Sequence, residues 1–218
     1  ANATDFGELT TARSYCGNAL SDGTKGVWIA GNIGGGAPNY GYNETIDYLN
    51  IASLGDAEDF GDMPRVCVET CGANNATRGC VFGGNYVGGT WKSAFIDYFT
   101  FASLGNATDF GDLLVANAIG GSHVSSGSRG VIGGGDTTNV LQYFAFATTG
   151  NTTDFGDLVG NHYYPSAVSN GTRGVWIAGQ ADNSSAPMDY LTISSLGNAS
   201  DFGDYVANTN GGGTCMSD

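Results

Sequence analysis

The 218-residue chain carries 21 acidic against 7 basic side chains, a formal charge of −14. That balance excludes nucleic acid and an anionic membrane surface as partners, because both demand cationic groups. Its 37 glycines, more than twice the usual share, accompany aromatic and β-branched residues without a Gly-X-Y period, which excludes collagen and disorder.

The first predicted element is an extra N-terminal strand at 1–8. It holds Asp5-Phe6-Gly7, the first of five Asp-Phe-Gly copies; the others start at Asp59, Asp109, Asp154 and Asp201. Four units follow within one repeat domain, at 9–61, 62–111, 112–156 and 157–203, and a tail runs over 204–218. Each unit reads as four strands. One is expected directly after Asp-Phe-Gly, for example Leu113-Leu114-Val115-Ala116. The second is short and apolar, and opens on a basic-Gly pair: Lys25-Gly26, Arg78-Gly79, Arg129-Gly130 or Arg173-Gly174. The third is aromatic, with Asp47-Tyr48, Asp97-Tyr98, Gln142-Tyr143 or Asp189-Tyr190. The fourth carries Asp-Phe-Gly. No stretch holds a 3.6-residue apolar period, so almost no helix is expected.

Spacing separates rigid from variable parts. The aromatic strand always precedes Asp-Phe-Gly by 12 residues (47 to 59, 97 to 109, 142 to 154, 189 to 201). From the basic residue to the aromatic strand the distance is 22, 19, 13 and 16 residues (25 to 47, 78 to 97, 129 to 142, 173 to 189). In a repeat architecture, length variation confined to one connection marks loops on one face, often the binding face.

Four short strands per unit of about 50 residues describe a propeller blade. The expected fold is an all-β propeller of four-stranded antiparallel blades: four blades, or five if other chain segments complete one. The segments Arg173 to Ala178 and Met188 to Asp204 resemble kelch-like repeats of phage virion and appendage proteins, with their Arg-Gly-Val, Ile-Asp-Tyr-x-Thr-Ile-Ala-Ser and Asn-Ala-Thr-Asp-Phe-Gly-Asp elements. The resemblance spans nearly the whole chain and implies a structural or appendage role. The unit at 112–156 departs from it with Gln142, and the second Asp-Phe-Gly copy with the Asp56-Ala57-Glu58 before it. Five Asp-Phe-Gly copies against four complete units leave spare ends, which either seal the ring together or pair with neighbouring chains.

Recurrence argues that the repeated groups are scaffold. The five Asp-Phe-Gly tripeptides lack the phosphate loop and catalytic segment of a kinase. They read instead as a buried Phe anchor, a Gly for close approach and an Asp capping amides. The recurring Lys25, Arg78, Arg129 and Arg173 are expected in blade-to-blade contacts with the recurring Asp. No metal site, cofactor or catalytic residue is expected. Eight Asn-x-Ser/Thr sequons occur, four of them at the same place before Asp-Phe-Gly, where turn preference accounts for them.

Function should sit where units differ. Loop 1 (31–45) offers Asn39, Tyr40 and Tyr42, and loop 2 (83–94) offers Tyr86, Trp91 and Lys92. The shorter loops 3 and 4 offer Asp136, Asn139, Asp182 and Asn183. Aromatic rings beside Asn and Asp suit protein contacts and sugars alike. Cys16, Cys67, Cys71, Cys80 and Cys215 lack zinc spacing and read as disulfide candidates. Pairing of Cys80 with Cys71 or Cys67 would staple one repeat, and Cys16 with Cys215 would tie the termini. No apolar run reaches the roughly 18 residues of a membrane helix, so no membrane insertion is expected. Sparse lysine suggests an extracellular or virion-surface setting, with Ala1 a processed end. The sequence-based expectation is a non-enzymatic interaction propeller of such an assembly, a phage appendage or decoration protein that forms a homo-oligomer or contacts a host surface. The alternative is a secreted carbohydrate-binding propeller.

Overall fold

The computed structural model describes residues 2–16, 18–34, 41–86, 92–118, 122–135, 138–162, 164–177, 187–204 and 216–217. Blade 1 holds β1 (Asn18–Ser21), β2 (Lys25–Asn32), β3 (Tyr42–Asn50) and β4 (Glu58–Asp62). A short β5 (Cys67–Val68) precedes blade 2, which holds β6 (Cys71–Asn74) and β7 (Arg78–Phe82). After β8 (Asn85–Tyr86), that blade is completed by β9 (Lys92–Thr100) and β10 (Thr108–Ala118). Blade 3 holds β11 (Ser122–Ser125), β12 (Arg129–Gly133), β13 (Val140–Ala145) and β14 (Thr153–Asp157). Blade 4 holds β15 (Ser166–Ser169), β16 (Arg173–Ile177), β17 (Pro187–Thr192) and β18 (Ser200–Asp204), and β19 (Met216–Ser217) runs parallel to β15. In each blade the four strands follow chain order across an antiparallel sheet, and no helix occurs among the described residues. This is the expected all-β fold of four-stranded blades.

Local chemistry explains the turns. Between the first and second strands, Asp22, Asn75 and Asn170 each accept two backbone N–H bonds through Oδ1, at 2.7–3.1 Å. Such side-chain mimicry of a backbone turn is why Asp and Asn occupy these corners. Asp-Phe-Gly itself is a β-bulge. Asp47 pairs with Asp59 and Ile46 with Gly61, so Phe60 is the extra residue; the same shift recurs at Phe110, Phe155 and Phe202. The bulge bends the strand and aims the Phe off the ladder. It also places the Gly at positive φ, 146° at Gly61 and 147° at Gly111, where a Cβ is strained.

The hydrophobic cores lie between blades rather than within them. Leu20, Val27 and Phe60 of blade 1 meet Val81, Phe99 and Phe101 of blade 2. Ala73, Phe82 and Phe110 of blade 2 meet Ile132, Phe144 and Phe146 of blade 3. Val124, Leu141 and Phe155 of blade 3 meet Trp176, Leu191 and Ile193 of blade 4. The recurring Tyr meets the bulge Phe edge-on in every blade, with ring centroids 5.7–5.9 Å apart. This pairing explains the constant spacing of 12: lengthening the turn would part the rings.

Four expectations about strands and loops need correction. The extra N-terminal strand expected at 1–8 is not formed: its described residues, 2–8, lie outside any sheet. The strand predicted directly after Asp-Phe-Gly is not the first of the next blade: 113–116 continue β10, and the new blade begins at β11. Loop 1 is shorter than expected, because β2 runs to Asn32 and β3 starts at Tyr42, its cross-strand partner. Loop 2 is not simply a loop, because β8 pairs with β5 (Cys67↔Tyr86).

Candidate functional site

The four chain-ordered strands of each blade form a meander, so the first and third connections leave at one end of a blade. The second connection and the linker to the next blade leave at the other. The first end is the locking end. There the backbone N–H of Gly105 donates to Phe60 O and that of Ala107 to Asp62 O, both at 2.8 Å. Asn106 Oδ1 accepts from Asp62 N at 3.1 Å. The clasp repeats at Gly150 and Thr152 on Phe110 and Asp112, and at Gly197 and Ala199 on Phe155 and Asp157. Residues 6–8 make it on Gly55 and Ala57, so the N-terminal segment docks on blade 1 as a preceding blade's bulge would. An added Cβ at Gly7, Gly61, Gly111 or Gly156 would fall 2.1–2.5 Å from the facing glycine's carbonyl group. The Gly of Asp-Phe-Gly is therefore a close-approach glycine.

The recurring basic residues work at the same junctions, though not as expected. Lys25 donates to Phe101 O, Arg78 to Phe146 O and Arg129 to Ile193 O, at 2.6–3.0 Å, each crossing to the next blade. The guanidinium groups of Arg78, Arg129 and Arg173 also stack over Tyr98, Tyr143 and Tyr190. Among the described residues their expected contact with the recurring Asp is not made. Those acids belong to residues that sequence reading missed, on the linkers at the opposite end. Asp47 is buried against Arg13 and accepts from Thr10. Asp97 meets Arg65 at 3.0 Å, and Asp189 meets His162 at 2.8 Å and Val159 N at 2.9 Å. Burial, with Asp109 and Asp112 close by, pushes the Asp97 carboxyl up to about 6 even though Arg65 pulls it down. The Gln142 side chain instead bonds the Val115 backbone, at 3.0 and 3.3 Å, and the Thr152 hydroxyl. That explains why repeat 3 departs from Asp: a backbone N–H and C=O are matched by an amide, not by a carboxylate.

The second connections, which hold the loop residues, leave the blades at the same end as these linkers. Tyr42 opens β3, half-buried, and Lys92 opens β9, exposed and opposite Ala118. Asn139 is used by the scaffold: its carbonyl accepts from Leu158 N at 2.7 Å, and its amide lies 3.4 Å from Leu158 O. Tyr86 lies in β8. Asn39, Tyr40, Trp91, Asp136, Asp182 and Asn183 lie outside the described residues. A pocket of about 200 Å³ beside Arg129, lined also by Ser126, Ser128 and Thr172, belongs to the junction of blades 3 and 4. Among the described residues no three His, Cys, Asp or Glu side chains gather where they would hold a metal ion.

The expected staple between Cys67 and Cys80 is not formed. Cys67 packs in the core shared with blade 1 and Cys80 in the core shared with blade 3. Both are free thiols, and burial pushes each up to about 12, which leaves them unreactive. Cys71 stands opposite Phe82, diagonal to Cys80, where Cα atoms are about 7–8 Å apart and too distant for a bridge. Cys16 is a free thiol, half-buried beside Gly31, and Cys215 lies outside the described residues. No family model matches this chain, and no curated protein matches it.

Proposed function

We propose that this chain is a non-enzymatic interaction module, a rigid propeller scaffold in an extracellular or virion assembly of the phage appendage or decoration kind. It presents the variable connections for contacts with other chains or a host surface. One observation carries the reading. The repeated polar groups, including Asp47, Asp97, Gln142, Asp189, Lys25, Arg78 and Arg129, are consumed by bonds within or between blades. The length variation, by contrast, is confined to connections that leave at one end of the blades. A scaffold of this kind fixes loop position and leaves loop chemistry to choose the partner.

The test is a double substitution, Tyr40→Ala with Trp91→Ala, in the full chain. Attachment to the native particle or to host cells should be lost while the melting profile is kept. Unchanged attachment would overturn the reading. Hydrolysis of a polysaccharide by the chain, abolished by one carboxylate change, would overturn its non-enzymatic part. Capture on a glycan array, lost with Trp91→Ala, would replace it by carbohydrate binding.

A further inference from the structure

Each internal junction joins an outgoing face of one blade to an incoming face of the next. Among the described residues no blade covers the outgoing face of blade 4, and on the incoming face of blade 1 residues 6–8 stand where a blade would. On blade 4, Phe202 is 49 % exposed, whereas Phe60, Phe110 and Phe155 are 2 % exposed. Val168 is 41 % exposed, whereas its counterparts Leu20, Ala73 and Val124 are at most 4 %. Arg173 is exposed and meets no cross-blade carbonyl among the described residues, unlike Lys25, Arg78 and Arg129. Gly203 has no atom within 4 Å of where its Cβ would be, whereas Gly61, Gly111 and Gly156 each face a glycine backbone. On blade 1, Ile51 is 45 % exposed, whereas the same position in the other blades (Phe101, Phe146, Ile193) is 1 % exposed. Trp28 and Leu49 are half-buried, whereas their counterparts Val81 and Phe99 are buried.

We infer that these two faces bind each other between copies: blade 4 of one chain docks on blade 1 of a second copy. The three internal junctions supply the bond list. Arg173 donates to Ile51 O of the second copy, as Arg129 does to Ile193 O. Phe202 O and Asp204 O accept from its Gly55 and Ala57 N–H groups, and Phe202 enters the apolar space beside Leu49 and Ile51. On Gly55 and Ala57 the incoming segment replaces residues 6–8, which hold that turn in the isolated chain by the same two backbone bonds and by Glu8 N on Asp56 Oδ1. The contact is a strand exchange between chemically equivalent segments, Asp-Phe-Gly-Asp for Asp-Phe-Gly-Glu. It is heterologous, so it propagates as a ring or a filament. It names the partner for the assembly role proposed above and rests on that reading. The formal charge of −14 opposes it at low salt.

Sedimentation velocity of the full chain over a wide concentration range, in moderate salt, tests this. Gly7→Ala should expel residues 2–8, because the new Cβ meets the Gly55 carbonyl at 2.1 Å. Freed of its internal competitor, the turn should bind a second copy about tenfold more tightly. Adding Gly203→Ala gives the incoming segment the same clash and should abolish the gain. Arg173→Ala, which within the chain also gives up the stacking over Tyr190, should weaken association as well, with the melting profile as the check on folding. The inference is overturned if Gly7→Ala associates no better than the parent, or if Gly203→Ala and Arg173→Ala leave association undiminished. It is also overturned if the chain stays monomeric while amides at 202–204 become protected from exchange, since the chain would then have closed on itself. The substitutions that test the proposed function change none of the residues named on either face, so the two readings fail separately.

Discussion

Gly111 and Gly203 occupy the same position in successive Asp-Phe-Gly bulges, and substituting each by Ala separates the worth of a junction from the cost of backbone strain. Both sit at positive φ, 147° and 123°, so an Ala at either place costs about 1–2 kcal/mol of local strain. Only Gly111 faces a neighbour. Its Cβ would lie 2.4 Å from the carbonyl carbon of Gly150 and 2.5 Å from its oxygen, and backbone on both sides cannot swing aside. Relief requires the clasp to open. That loses Gly150 N to Phe110 O at 2.7 Å, Thr152 N to Asp112 O at 2.8 Å, and Asp112 N to Asn151 Oδ1 at 3.0 Å. At about 1 kcal/mol each these amount to about 3 kcal/mol. Gly111→Ala should therefore destabilise by about 4–5 kcal/mol and Gly203→Ala by about 1–2 kcal/mol. Urea unfolding midpoints with a common slope measure the difference. Equal losses within about 0.5 kcal/mol would refute the reasoning, because the close approach would then contribute nothing.

Three further outcomes test the buried acids. Asp47→Ala leaves the Arg13 guanidinium buried without its anion and should cost about 3–5 kcal/mol in chemical denaturation. For Asp97, the folded pKa of about 6 lies above the unfolded value near 3.9, so folding takes up a proton between them. The associated stability is complete below about pH 4 and is lost as pH rises through about 6, by up to about 3 kcal/mol. Asp97→Asn should remove that slope, read as the parent-minus-variant difference in unfolding midpoint between acidic and neutral buffer. Gln142→Asp places a carboxylate against Val115 O, where no base waits, and should destabilise by about 2–3 kcal/mol at neutral pH and less in acid. Thermal melts at the two pH values decide it.

The blade was legible in the sequence because its parts interact over short, fixed distances. Tyr48 and Phe60 touch across one turn, so their spacing is constant and visible. The assignment of the first strand failed because the two Leu and the Val at 113–115 read as a strand wherever they belong, and in fact they lengthen β10. The pairing of the recurring bases with the recurring acids failed for a different reason. Both groups recur, but they lie at opposite ends of the blade, and the bases reach the next blade's carbonyls instead.

The residues that hold the acids were harder to find, because their identity changes from repeat to repeat while their task does not. Arg13, Arg65 and His162 stand 8, 6 and 8 residues after the Asp of the preceding Asp-Phe-Gly (5 to 13, 59 to 65, 154 to 162), so no column of identical residues marks them. A signal did exist. The chain has only 7 Lys and Arg. Four of them open the second strands and Lys92 opens β9, which leaves Arg13 and Arg65 alone in the linkers. Three buried carboxylates in so acidic a chain each need a partner. The repeat that lacks a linker base is the one that carries Gln142, and there the backbone of the lengthened β10 at Val115 supplies the donor and acceptor instead. The acid and its base therefore vary as a pair. The departure of one repeat from the pattern was the clearest pointer to what the pattern is for.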